Sequence, residues 1–135
     1  MLVEHARELA GIADATHAEY GAGGSPVISM LACSLVATEI EIEIVPGTRL
    51  AEAHGSLRAT EPTNCSYGLS PAFEHIASAG GLIVSARDDT GEVRAVERTD
   101  HPFYVGTLYQ PQRRSAPDDP HPLLLAFIDA VLADT

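Results

Sequence analysis

Residues 27–45 read VISMLACSLVATEIEIEIV, and this stretch decides the fold. Its first nine residues are an unbroken apolar run, which suits a strand covered on both faces. From Glu39 to Val45 charged and apolar residues alternate strictly, the period of a strand with one wet face. The stretch therefore reads as two successive strands, with Cys33 a buried packing residue in the first. Before it, GAGGSP (21–26) is a loop. After it, Pro46-Gly47 turns the chain and Arg58 to Thr63 reads as a short strand. Ser70-Pro71 starts a helix running through Ala79 to a stop at Gly80-Gly81, since proline fits a first helical turn and glycine a helix end. LIVSA (82–86) and VRAVE (93–97) flank RDDTGE, which has hairpin turn chemistry, and FYVGTLY (103–109) follows as a further strand. Helices close both ends. Leu2, Val3, Ala6, Leu9, Ala10 and Ile12 share one face at helical spacing, and the apolar stretch Pro122 to Leu132 follows the turn segment DDPHP. Strands interleaved with helices, without an internal repeat, make this an α/β chain.

The chain has 135 residues, the size of one domain with a real core, so residues 1–135 are read as a single domain. Nineteen acidic residues stand against eight arginines and no lysine, for a net charge of -11. That field repels phosphate backbones and anionic lipid, so neither nucleic acid nor membrane is an expected partner. No apolar run approaches a membrane span and the first residues, MLVEHARELAG, are charged, so a soluble cytoplasmic protein is expected. Cys33 and Cys65 are the only cysteines, too few for a disulfide framework.

Four segments, LVEHARELAGIADATHAEY (2–20), TEPTNCSYGLSPAFEHIASAGGLIVS (60–85), HPFYVGTLYQPQ (101–112) and RRSAPDDPHPLLLAFIDAVL (113–132), carry a resemblance that spans nearly the whole chain. In this order they resemble the C-terminal part of class I glutamine amidotransferase domains of the CTP-synthase type. A nearer likeness is to a group of stand-alone proteins related to that C-terminal region, with a similar HAE, CSYGL and HPF pattern. The resemblance implies a mixed, partly parallel sheet flanked by helices, formed here by a partial amidotransferase-like domain.

The resemblance places the family's catalytic histidine on Gln110 and its triad glutamate on Gln112, with Pro111 kept between them. Neither glutamine can serve, because a nucleophilic cysteine needs a neighbouring base and an amide has no proton affinity near neutrality. The family's cysteine lies on a strand-to-helix turn just before the first helix, where this sequence has Met1. The expectation is a chain without the nucleophile elbow, not a functional glutaminase as it stands. Glu19 matches the glutamate that holds the amino group of bound glutamine, and its plainer alternative is an exposed loop carboxylate. Ser66 stands where the family has an arginine that pairs with the glutamine carboxylate, and a serine does not replace a bidentate guanidinium. Tyr67 beside it is read as a substrate-binding residue of a retuned small-molecule pocket, with an amino-acid-like ligand.

Two residues remain as candidates for other chemistry. His17 titrates near neutral pH, and Cys65 is the one plausible nucleophile, provided that a base lies within reach. A surface histidine and a packed thiol are their plainer readings. His17-Ala18-Glu19 also has the His-x-Glu form of zinc deaminases, but the Pro-Cys-x-x-Cys half of that motif is absent, so no metal is assigned. No cofactor is expected. His101 and His121, each before a proline, read as structural, and Arg113-Arg114 as a solvated loop.

Half of a parallel sheet leaves strand edges and an apolar helix face uncovered, so a homodimer or a separately encoded partner chain is expected. Three functions stay open at this point. The leading one is a degenerate amidotransferase-like protein with a small-molecule pocket. The others are a small hydrolase or transferase acting through His17, Glu19 and Cys65, and a structural subunit that completes a partner's sheet.

Overall fold

The computed structural model describes residues 1–21 and 23–133, so Ala22 of the expected 21–26 loop lies outside the described residues. Helix α1 (Leu2–Glu8) leads into β1 (Ala15–His17), a short 3-10 helix (Ala18–Tyr20) and β2 (Ser25–Ile44). Helix α2 (Arg49–His54), β3 (Arg58–Leu69) and a second 3-10 helix (Pro71–Ser78) come next. The chain continues through β4 (Leu82–Asp88), β5 (Val93–Arg98), β6 (Val105–Thr107), a 3-10 turn (Pro111–Arg113) and α3 (Pro122–Ala133). The six strands form one sheet in the order β1-β2-β4-β5-β6, with β3 also paired to β2. β1 runs parallel to β2 and every other pair is antiparallel. The expected α/β class, a mixed and partly parallel sheet flanked by helices, is the observed one.

The alternating segment behaves as its pattern dictates: Ile40, Ile42 and Ile44 are buried while Glu39, Glu41 and Glu43 face solvent. Those isoleucines pack with Leu50, Ala86, Ala95, Tyr109 and Leu123 beneath α2 and α3. The preceding apolar run differs from expectation. It does not form a separate buried strand but belongs to the same 20-residue β2. Met30 faces Tyr67 on β3, yet the next matched residue, Leu35, faces Cys65, so β2 holds extra residues between them. Such a bulge lifts its residues off the ladder, leaving nothing to cover them. Cys33, among the unmatched residues, is accordingly exposed rather than packed, and Met30, the last matched residue before them, is 70% exposed. A second shift lies between Leu35 and Thr38, where Ala37 takes φ 51°, a left-handed conformation unusual for a residue with a Cβ.

Helix α2 has no counterpart in the sequence reading. Six residues are too few to hold a helix by propensity alone, and its N-terminus is held from elsewhere. Thr48 Oγ1 accepts from Ala51 N at 3.1 Å, and the buried Glu97 carboxylate accepts from Arg49 N and Leu50 N at 2.8 and 3.1 Å. The segment after Ser70-Pro71 is helical as expected, but of 3-10 form and kinked at Phe73. It ends where glycine is required, since a Cβ on Gly80 would lie 2.7 Å from Cβ of Leu9. Arg58 to Thr63 is the first half of the longer β3, whereas FYVGTLY contributes only the three residues of β6.

The apolar face at the N-terminus, expected to lie open, is covered by the chain itself around Ala6, while Leu9 stays 52% exposed. Ala6 packs with Ala15, Val27 and Ile76, and His5 Nε2 bonds the Ala79 carbonyl at 2.8 Å. Leu125 and Ile128, three residues apart on one face of α3, are also about half exposed. Among the described residues no helix is long and apolar enough to cross a membrane.

Candidate functional site

Three short segments converge on a cavity of about 580 Å³. The end of β1 and the 3-10 helix after it bring His17 and Glu19; β3 brings Asn64, Cys65, Ser66 and Tyr67; β5 and β6 supply Val93 to Val96 and Gly106 to Leu108. The cavity opens where the β2–β3 ladder is interrupted. The two register shifts of β2 flank the match of Leu35 to Cys65, and Asn64 Oδ1 accepts from Ala37 N at 3.0 Å. A broken ladder releases the side chains of residues 64–67 from regular strand packing, as bulges beside functional sites do.

All five residues expected to bind or act, His17, Glu19, Cys65, Ser66 and Tyr67, line this one cavity although the chain separates them widely. The rings of His17 and Tyr67 stand 5.0 Å apart, tilted by 49°. His17 Nδ1 accepts from Glu19 N at 3.1 Å, so in its neutral form the imidazole carries its proton on Nε2. The Glu19 carboxylate, 4.0 Å from that Nδ1, is exposed at the rim. Cys65 directs its S–H at the Leu108 carbonyl, 3.3 Å away.

Gln110 follows the wall residue Leu108 by two positions and is tied to β3 by its backbone N–H on the Pro62 carbonyl at 2.9 Å. Its Oε1 accepts from Arg113 at 3.5 Å, which turns Nε2 toward Cys65 Sγ at 3.9 Å. The group beside the thiol is thus an amide N–H, a donor with no capacity to take a proton. Gln112 sits in the exposed 3-10 turn and makes no part of the cavity wall. His101 and His121 are structural, each accepting through Nδ1 from the backbone N–H two residues on.

Under α2 and α3 lies a second polar cluster that the sequence reading did not single out. Fully buried Glu61 accepts from His121 Nε2, which is 3.1 Å from both carboxylate oxygens, and Arg114 reaches it at 3.4 Å. His54 Nδ1 lies 3.9 Å from the same carboxylate, and its Nε2 is 3.4 Å from the Tyr109 hydroxyl. Two histidines and a carboxylate with ligand atoms within 4.8 Å of one another match a metal set in type. The hydrogen bonds give them another role. Leu123 N–H points at His121 Nδ1, which must therefore accept, so Nε2 carries the proton and donates to Glu61. A metal at Nε2 would force that proton onto Nδ1, against an N–H. Burial, the largest influence, lowers the His54 pKa; Glu61 pulls it back up, while His121 and Arg114 add to the lowering. Burial and then the Glu61 charge push the Tyr109 phenol well above its ordinary range. The cluster is an arrangement of two imidazoles and a phenol around one buried carboxylate. No short motif announces it, because Glu61 and His121 are 60 residues apart.

No family model matches the chain. It is similar, over 97% of its length, to CTP synthase of Geobacter sulfurreducens at 34% identity and to CTP synthase of Azospirillum brasilense at 30% identity. The chain spans only 26% and 28% of those two relatives. Among solved structures it is similar to the glutaminase domain of Trypanosoma brucei CTPS with bound acivicin, with a TM-score of 0.89 at 24% identity, covering 98% of this chain and 56% of that one.

Proposed function

We propose, from the premise that this chain is a relative of the glutaminase part of CTP synthase, that it is a glutaminase-like domain which binds a small molecule without hydrolysing glutamine. The observation that carries this reading is the amide of Gln110 beside Cys65. Its Nε2 lies 3.9 Å from the sulfur, in the position where a thiolate-generating mechanism needs a base. The S–H of Cys65 is already engaged as a donor to the Leu108 carbonyl, which also weighs against the reading of a hydrolase acting through His17, Glu19 and Cys65. The cavity itself supports retained binding, since its volume falls in the range of small-ligand sites. The purified chain is expected to release no ammonia from glutamine above the protein-free rate. Turnover that Cys65→Ser abolishes would overturn the proposal.

Self-association is a second, compatible reading, favoured by the outer face of α3, where Leu125 and Ile128 are each about half exposed. Apolar residues spaced along one helix face are commonly buried against a copy of themselves. Sedimentation at micromolar concentration is expected to report a dimer that Ile128→Glu returns to monomer. A wild-type monomer at that concentration would remove this reading and leave the pocket proposal untouched.

A further inference from the structure

The mouth of the cavity carries one donor and one acceptor that the fold leaves unused. His17 Nδ1 accepts from Glu19 N at 3.1 Å, so the neutral ring keeps its proton on Nε2. That N–H has no hydrogen-bond partner among the described residues. It also stays accessible, since the unpartnered side-chain atoms shut off from solvent are Arg49 Nε, Ser85 Oγ and Arg94 Nη1. The Glu19 carboxylate lies beside the same ring, with Oε2 4.0 Å from Nδ1, and is 56% exposed. Both residues line the cavity at its rim.

Behind this pair the wall offers a ligand no side-chain cation. Arg94 is the only arginine on it, and the chain contains no lysine. Its guanidinium is buried and held by Asp88 and Glu92, so its charge is already met within the fold. Leu2, Val3, Ile28 and Leu69 make much of the remaining wall apolar. Such a wall favours an apolar body, which gains by leaving water.

The rim and the wall together select the ligand's head group. A carboxylate or phosphate would meet the Glu19 charge with no side-chain cation to offset it. An ammonium suits Glu19 but brings only donors to the His17 N–H, and an ester brings only acceptors to Glu19. A primary carboxamide satisfies both residues, its oxygen accepting from His17 Nε2–H and its N–H donating to the carboxylate. The Tyr67 ring, 5.0 Å from the His17 ring, packs that donor against β3. We infer that the cavity binds a primary carboxamide with an apolar body, its head held at the mouth between His17 and Glu19. The inference rests on the small-molecule reading proposed above and narrows it to one head group.

Cyclohexanecarboxamide, cyclohexanecarboxylate and cyclohexylmethylammonium, alike in size and different in charge, are the probes. Titrated into the full chain at about pH 8, where an imidazole is neutral, the carboxamide is expected to move the backbone NMR signals of Leu69 and Leu108 together with the His17 Nε2 signal. The two charged probes are expected to bind roughly fivefold more weakly or less, the loss of one hydrogen bond. His17→Phe keeps a ring against Tyr67 without the N–H, so its carboxamide affinity is expected to fall by roughly the same factor. Either charged probe binding as tightly as the carboxamide overturns the inference. Leu69 and Leu108 shifts with a silent His17 also overturn it, while leaving the pocket itself standing. No shift with any of the three removes both the inference and the pocket. Should His17→Phe fail to fold, the wild-type His17 signal and the ratios of the three affinities give the answer.

Discussion

His121→Leu is expected to lower stability by about 3 kcal/mol, because it breaks a buried pair by removing one partner. His121 is almost fully buried and its Nε2–H is the nearest donor to Glu61, which is itself completely enclosed. Leucine fills much of the same space, so the loss comes mainly from a carboxylate left with the more distant Arg114 at 3.4 Å and from Leu123 N–H losing its acceptor. In a domain of this size the loss corresponds to a fall in melting temperature of roughly 10 °C. The cause is tested by a double-mutant cycle. Glu61→Leu in the same background removes the stranded charge, so the double variant is expected to be more stable than the sum of the two single losses predicts. Losses that simply add, or a single loss under about 1 kcal/mol, would mean that the pair is not coupled as the geometry indicates.

What was legible in the sequence is what depends on neighbours along the chain. The alternation through Ile40, Ile42 and Ile44 fixes a face locally, and the turn residues of RDDTGE fix a hairpin locally, so both appear as read. Helix α2 was invisible because Glu97, the carboxylate at its N-terminus, comes from β5, 47 residues beyond Leu50. The run around Cys33 misled because hydrophobicity states a preference for burial, while the bulges of β2 decide whether a neighbour is there to provide it. The candidate residues His17, Glu19, Cys65, Ser66 and Tyr67 were singled out through segments rather than through contacts, and the fold brings those segments to one cavity. Arg94 escaped notice for the opposite reason. In VRAVE it reads as the polar partner of an alternating strand, and only the tertiary structure buries it against Asp88.

Arg94 depends in turn on Asp88, and Asp88→Asn is expected to cost about 3 kcal/mol near neutral pH by leaving a buried guanidinium short of its partner. Asp88 is nearly buried and uses both oxygens: Oδ1 accepts from Thr90 N, Thr90 Oγ1 and Glu92 N, and Oδ2 from Arg94. Burial, the largest single influence, would raise its pKa. The hydrogen bonds from Thr90 and Arg94, the Arg94 charge and the Glu92 N–H together outweigh it and hold the carboxyl below its ordinary value of 3.8. A carboxyl depressed by folding contributes stability that is fully present above the unfolded value and is lost as pH falls through the folded one. The advantage of the wild type over Asp88→Asn is therefore expected to be constant from neutral pH down to about 5 and to shrink below about 4. Urea denaturation of both proteins across that range measures it. A gap that stays unchanged into strong acid would mean that Asp88 is held by its neutral hydrogen bonds alone, and that the Arg94 pair contributes no charge-dependent stability.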